Sequence, residues 1–422
     1  MTRLTAKGRL IGSLLTAAVL LTAPLHARSA DLLEVFRQAQ SGDAVYASAR
    51  AAWAAAQEKL PQARSGLLPT ISLTGSTQYN DRDIRFRDPT VVGSSSRFNS
   101  NSLLLSLNQP VFRAQNLVAY QQGKTQLEQA DASLAAAAQD LITRVAQAYV
   151  DVLLARDNVA FAAAQKTAIG EQLTQAKISF QVGTATITDT NEAQARFDLA
   201  ASQEIAAQSD LEIKSRTLEL LIGKTTPVLA PLGTGLQLVT PQPAALEKWV
   251  EDSRSSNPQV RVADSNLVLA RQEVTRNRAG HLPTVDAFAS TGVNRAGVGT
   301  LGGPGTNIDT SSIGVQLAVP IYQGGIVNSR VREAAANEDR AVRDLDGARR
   351  NAELATRQAY VGVTSGIAQV KALEAALVSS QSALDSSRLG REVGVRTQVD
   401  VDRKSTRLNS SHVALSRMPS SA

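Results

Sequence analysis

The sequence predicts an α+β membrane protein made of two tandem copies of one unit, each joining two short alternating strands to very long helices. Three observations lead there. Leu68-Pro69-Thr70-Ile71 returns as Leu282-Pro283-Thr284-Val285, 214 positions later. Four segments of about 10 residues alternate apolar and polar side chains, the length a tilted strand needs to cross a bilayer. Residues 111–182 contain no proline and carry small and aliphatic side chains at 4-3 spacing, the mark of a coiled-coil seam.

The duplication has further anchors. Gln109-Pro110-Val111-Phe112 returns as Val319-Pro320-Ile321-Tyr322 at an offset of 210, and Ala146-Gln147-Ala148-Tyr149-Val150 as Arg357-Gln358-Ala359-Tyr360-Val361 at 211. Residues 182–189, VGTATITD, correspond to residues 393–400, VGVRTQVD, again at 211. Anchors in one order at one offset predict two copies of a structural unit.

Taken in chain order, residues 1–30 read as a secretory signal. Arg3, Lys7 and Arg9 precede an apolar run over residues 10–21, with small residues around Ala27 and Ala30. That run is too short to span a bilayer as a helix. The first unit is expected over residues 31–224, with a helix, strands at 70–80 and 101–109, a long helix, a tip turn and a closing helix. In its strands Ile71, Leu73, Thr77 and Tyr79 share a face, as do Leu103, Leu105 and Leu107. The long helix would rise about 110 Å at about 1.5 Å per residue. Its seam runs through Leu141, Val145, Ala148, Val152, Ala155, Val159, Ala162, Ile169, Leu173, Ala176 and Phe180, interrupted only by Lys166. Its expected partners are residues 31–66 and 184–223, two shorter helical stretches stacked end to end beside one long one.

Residues 225–245 form a Pro-rich connector outside the membrane, and the second unit follows at 246–401 with strands at 284–294 and 311–319. Residues 402–422 do not match the helix that follows Asp189. They are basic, Ser-rich and without apolar periodicity, and are expected to be foreign or frame-shifted sequence in place of that helix, leaving an apolar seam on the second long helix uncovered.

Charge and composition then exclude several functions. The formal net charge is +6, of which residues 1–27 carry +3 and residues 402–422 carry +3, so residues 28–401 are neutral and the basic pI says nothing about nucleic acid. The chain has no Cys, which excludes disulfides, thiolate metal sites and Cys nucleophiles. Of three His, His26 lies in the signal and His412 in the tail, and His281 alone cannot build a His-based triad or metal cluster. Gly297, Gly299 and Gly302 satisfy GxGxxG, but in a polar loop between strands with no helix following. Gly223-Lys224-Thr225 lacks the earlier glycine of a phosphate loop and reads as a helix stop. The sequon at Asn409 falls in the tail, and Tyr149 and Tyr360 are expected to pack at helix seams. No catalytic residue, cofactor or metal site is expected.

Four membrane strands cannot close alone, because single-chain barrels need at least about eight, so the open edges must pair with other copies in a dimer, trimer or tetramer. From Asp31 to Asp400 the chain resembles the TolC family of outer-membrane efflux and secretion channels, through the LPT motifs, QPVF and VPIYQGG, and the VGTATITD and VGVRTQVD turns. The resemblance implies a homotrimer sharing one outer-membrane β-barrel, four strands per chain, continuous with a periplasmic α-helical coiled-coil barrel. It implies an exit duct of a tripartite efflux pump or type I secretion system, working with a periplasmic adaptor and an inner-membrane pump. Pro69, Pro110, Pro283 and Pro320 would mark the barrel–helix junctions, where a residue without N–H that holds its predecessor extended is suited. The turns at Val182, Gly183 and Thr184 and at Val393, Gly394 and Val395 would be adaptor-contacting tips. Thr188, Asp189, Arg391, Arg396 and Asp400 would form the periplasmic gate, with Arg391 standing where the family can place a Tyr. Two rival readings are weighed against these: Asp189 and Asp400 as helix caps, and the whole as a trimeric coiled-coil envelope protein without a pore.

Overall fold

The computed structural model describes residues 30–88, 90–231, 238–298, 304–395 and Lys404. Helix α1 (Leu32–Gly42) is capped by Asp31, whose Oδ1 accepts from the Glu34 N–H at 2.8 Å. Helices α2 (Ala44–Gln57) and α3 (Lys59–Ser65) lead to strands β1 (Thr70–Ile84) and β2 (Ser94–Phe112). Helix α4 (Ala114–Gln181) has 68 residues, about 100 Å of rise, and α5 (Ile187–Ile222) returns along it. Beyond the connector come α6 (Leu246–Ser256), α7 (Pro258–Arg278), β3 (Thr284–Val298), β4 (Pro304–Ala318) and α8 (Ile326–Glu392).

The strands form one antiparallel sheet in the order β1-β2-β3-β4, so β1 and β4 each present an edge with no partner strand among the described residues. All four run further than the apolar alternation indicated. The Thr70↔Asn108 ladder continues to Ile84↔Ser94, through polar residues whose backbones pair as well as apolar ones. Gly297, one glycine of the GxGxxG match, lies inside β3, while Gly299 and Gly302 are outside the described residues.

End-to-end stacking of shorter helices along α4 is what the structure has, and two glycines make it possible. A Cβ on Gly42 would stand 2.1 Å from the Ile222 carbonyl oxygen, so only glycine lets α1 abut the end of α5. Gly223 terminates α5 in the left-handed region at φ +67°, its N–H donating to the Glu219 carbonyl at 2.8 Å, which makes it the helix stop read from the sequence. Around this joint lies the main core, Val35, Leu141, Val145, Val152, Leu218, Ile222 and Leu229, all essentially solvent-free. The 4-3 seam is buried from Leu141 to Ala155 and again at Ala162 and Leu173, whereas Phe180 near the tip is exposed. Lys166, the interruption in that seam, is met by Glu204 of α5, with Nζ to Oε2 at 2.8 Å.

Candidate functional site

Strand register sorts the sheet into two chemically opposed faces. Ile71, Leu73, Leu105, Leu107, Ala289, Val293, Ile313, Val315 and Leu317 fall on one side, and in the isolated chain Ile313 is 87% exposed. The other side carries hydroxyls and amides. Ser72, Ser106, Ser290 and Ser312 are register partners in turn and make one row across all four strands. Within it the Ser72–Ser106 and Ser290–Ser312 hydroxyls hydrogen-bond at 2.7 Å, and Ser76–Ser102 does the same one step along. Two large apolar residues on this side sit over glycines: a Cβ on Gly314 would meet the Phe288 ring at 2.8 Å, and one on Gly292 would meet Leu104 at 3.0 Å. A polar wall therefore backs an apolar one, across a single sheet thickness.

At the sheet–helix junction Pro69 directly precedes β1 and Pro283 directly precedes β3. Pro320 stands two residues past the end of β4, and Pro110 lies inside β2 rather than at its end. The strand tolerates Pro110 because β1 pairing has already ceased at Asn108 and the β2–β3 register shifts between Pro110 and Phe112. A pair not foreseen from sequence locks the place. Arg113, the residue just before α4, reaches Asp286 of β3 with Nε to Oδ1 at 2.8 Å and Nη2 to Oδ2 at 2.7 Å. That fork fixes helix against sheet bidentately.

Near the connector, Asp43 is buried at 3% exposure. It caps α2 through the Tyr46 N–H at 2.6 Å and takes the Arg144 guanidinium at 2.7 Å. Burial pushes its carboxyl up, but the Arg144 and Tyr46 hydrogen bonds outweigh that and hold it below its ordinary value. Tyr149 and Tyr360 both do more than pack. The Tyr149 hydroxyl donates to the Ala230 carbonyl at 2.8 Å and that of Tyr360 donates to the Ala244 carbonyl, so each long helix holds the connector. Burial, with Asp31 nearby, pushes the Tyr149 phenol up against a smaller opposing effect from Arg156.

The two tips share one turn. Gly183 and Gly394 have φ of +75° and +79°. The Thr184 N–H donates to Ser179 O and the Val395 N–H to Gly390 O, both at 2.8 Å, the helix-terminating geometry that glycine permits. Val182, Val393 and Val395 are exposed there. Thr188 is exposed in the first turn of α5. Asp189 is engaged in a capping box: its Oδ2 accepts from the Thr186 N–H and hydroxyl at 2.8 Å each, while its own N–H donates to the Thr186 hydroxyl at 3.2 Å. Those bonds hold its carboxyl below the usual carboxylate value. Arg391 lies in the last turn of α8, and Arg396 and Asp400 are outside the described residues.

A sheet with one apolar and one polar face, two edges with no partner strand among the described residues, and helices about 100 Å long suit a wall that crosses a bilayer. Residues 35–224 and 249–420 match the outer membrane efflux protein family, and the chain belongs to it. Outer membrane protein TolC of Escherichia coli (strain K12) is 34% identical over 381 residues, covering 88% of this chain and 75% of that protein. Alkaline protease secretion protein AprF of Pseudomonas aeruginosa is 33% identical over 299 residues, 70% of this chain and 62% of that one. Among solved structures, the outer membrane protein VceC of Vibrio cholerae superposes with a TM-score of 0.73 at 18% identity over 92% of each chain, a likeness of fold. The chain is an outer-membrane exit duct of the efflux and type I secretion class.

Proposed function

We propose that the duct is a homotrimer in which 12 strands, four from each chain, close one barrel, with the polar face lining the lumen and the apolar face against lipid. The observation that carries this reading is the two-faced sheet with both edges open. An unpaired edge in hydrocarbon costs several kcal/mol per backbone group, and four strands are too few to close by themselves. The two sequence copies then serve as two tandem structural repeats, each giving a hairpin to the barrel and a long helix to a periplasmic tunnel. The turns around Gly183 and Gly394 face away from the membrane and meet the periplasmic adaptor, behind which stands an inner-membrane pump. The duct itself performs no bond chemistry.

At the tips, Thr188, Arg391, Arg396 and Asp400 form the closing contacts. Asp189 joins them: its Oδ2 is bonded to Thr186 and fixes the start of α5, while Oδ1 of this exposed carboxylate serves the contact across the tip. The test of the assembly is the mass of the detergent-extracted particle by native mass spectrometry. Three chains are expected; two or four would overturn the reading.

A further inference from the structure

We infer that the cavity at the foot of the sheet, between the ends of α7 and β4 and the starts of α4 and α8, binds a phosphodiester group held between Arg330 and Arg113. Two sources carry that group, a glycerophospholipid of the membrane and a phosphodiester solute in the duct, and the same donors recognise it from either. The membrane source rests on the reading that sets the apolar face against lipid; the charge and shape of the site do not.

Both long helices begin beside this cavity. Arg113 directly precedes α4, and Arg330 stands in the second turn of α8. The cavity measures about 380 Å³, and its polar side is formed by these two arginines with Gln115 and Gln323. No carboxylate lines it among the described residues. Asp286 has both oxygens spent on Nε and Nη2 of Arg113, which leaves Nη1 of that guanidinium uncommitted. Arg330 makes no hydrogen bond or ion pair among the described residues, and the Gln115 and Gln323 side-chain amides are likewise free to donate. With Arg113 and Asp286 counted as a neutral pair, the site carries one net positive charge, and a phosphodiester carries one negative charge. Gly280 keeps the cavity open: a Cβ there would stand 3.3 Å from Gln115 Nε2 and 3.4 Å from Val327 Cγ1.

Donors that come from α4 on one side and α8 on the other suit a tetrahedral anion, whose oxygens point in several directions. A planar carboxylate would satisfy one guanidinium fork and leave the other empty. The rest of the wall is apolar, with Leu282, Val319 and Val327. Val319 continues the alternation of Ile313, Val315 and Leu317 along β4, so the cavity lies beside the lower end of the apolar face. A lipid held there by its phosphate would lay its acyl chains along that face. Thr284 and Ala318, register partners on the opposite face, line the cavity too, and they leave the same donors within reach of a solute inside the duct.

Native mass spectrometry of the purified, delipidated full chain in detergent reads the site. Added dioleoylphosphatidylglycerol is expected to be retained at one molecule per chain. Arg330→Gln keeps donors but removes the charge, and is expected to weaken retention at least about tenfold, the scale of one lost charged hydrogen bond. Arg332→Gln, an exposed arginine on the same helix outside the cavity, is expected to leave retention unchanged. Glycerophosphoglycerol, the same headgroup without acyl chains, probes the other source. If it raises the dissociation temperature of the parent particle but not of Arg330→Gln, while the lipid shows no dependence on Arg330, the site draws its phosphate from the duct. Equal weakening by Arg332→Gln, or no dependence on Arg330 for either probe, overturns the site. Adducts are counted per chain, so a particle of other than three chains would overturn the trimer and leave the result for the cavity standing.

Discussion

Ile313→Arg is expected to abolish insertion of the duct, whereas Gln316→Arg, on the same strand three positions away, leaves assembled particles in the outer membrane. The two positions lie on opposite faces: Ile313 pairs Ala289 on the apolar side, and Gln316 pairs Asp286 on the polar side. An arginine against lipid near the bilayer midplane costs about 2–4 kcal/mol in a barrel strand. In the proposed trimer three copies would carry that cost together, which is comparable with the whole stability of a typical domain. On the lumen side the same charge meets water and costs far less. Heat-modifiable migration of the extracted protein reads the difference. Equal loss for both variants would show that the faces are misassigned.

The second large effect is expected at Asp43, where one carboxylate serves as helix cap and as partner to Arg144. Asp43→Ala removes both and leaves the Arg144 guanidinium with Asp140 as its one remaining carboxylate, at a cost of about 2–4 kcal/mol for the lost cap and the lost charged hydrogen bond. Asp43→Asn keeps a capping oxygen for the Tyr46 N–H and is expected to lose only part of this. The pH dependence follows from the direction of the shift. The folded carboxyl titrates below its ordinary value of 3.8, so its stabilisation is complete above that value and is lost as pH falls through the folded pKa. Thermal unfolding of the solubilised particle at pH 7 and at pH 3 is expected to show a smaller acid-induced drop for Asp43→Asn than for the parent. An identical drop would place the acid-sensitive group elsewhere.

Most of the architecture was legible because it rests on periodicity and repetition. Leu-Pro-Thr at Pro69 and Pro283 fell at strand starts, and the seam from Leu141 to Ala155 is buried against shorter helices stacked end to end. Strand length was not legible. The outer parts of β1 and β2 pair through Asp81, Arg82, Ser94 and Ser95, whose polarity reads as loop even though backbone pairing is indifferent to it. Contacts between residues far apart were equally hidden: nothing in a single sequence links Arg113 to Asp286, or Asp43 to Arg144. At the tip, Asp189 Oδ2 bonds Thr186 three residues away, a local bond that the Thr-x-x-Asp spacing signals, while its gate role stays an expectation of the resemblance. Arg396 and Asp400 remain expectations of the resemblance.

The central claim is that polar faces from several copies enclose a water-filled path across the outer membrane. Single-channel recording of the purified, assembled full chain in planar lipid bilayers addresses it most directly. Discrete current steps of uniform size are expected, and they should be absent for Ile313→Arg protein taken through the same preparation. Protein that inserts into the bilayer as three-chain particles yet passes no current would contradict the duct and favour a coiled-coil envelope protein without a pore.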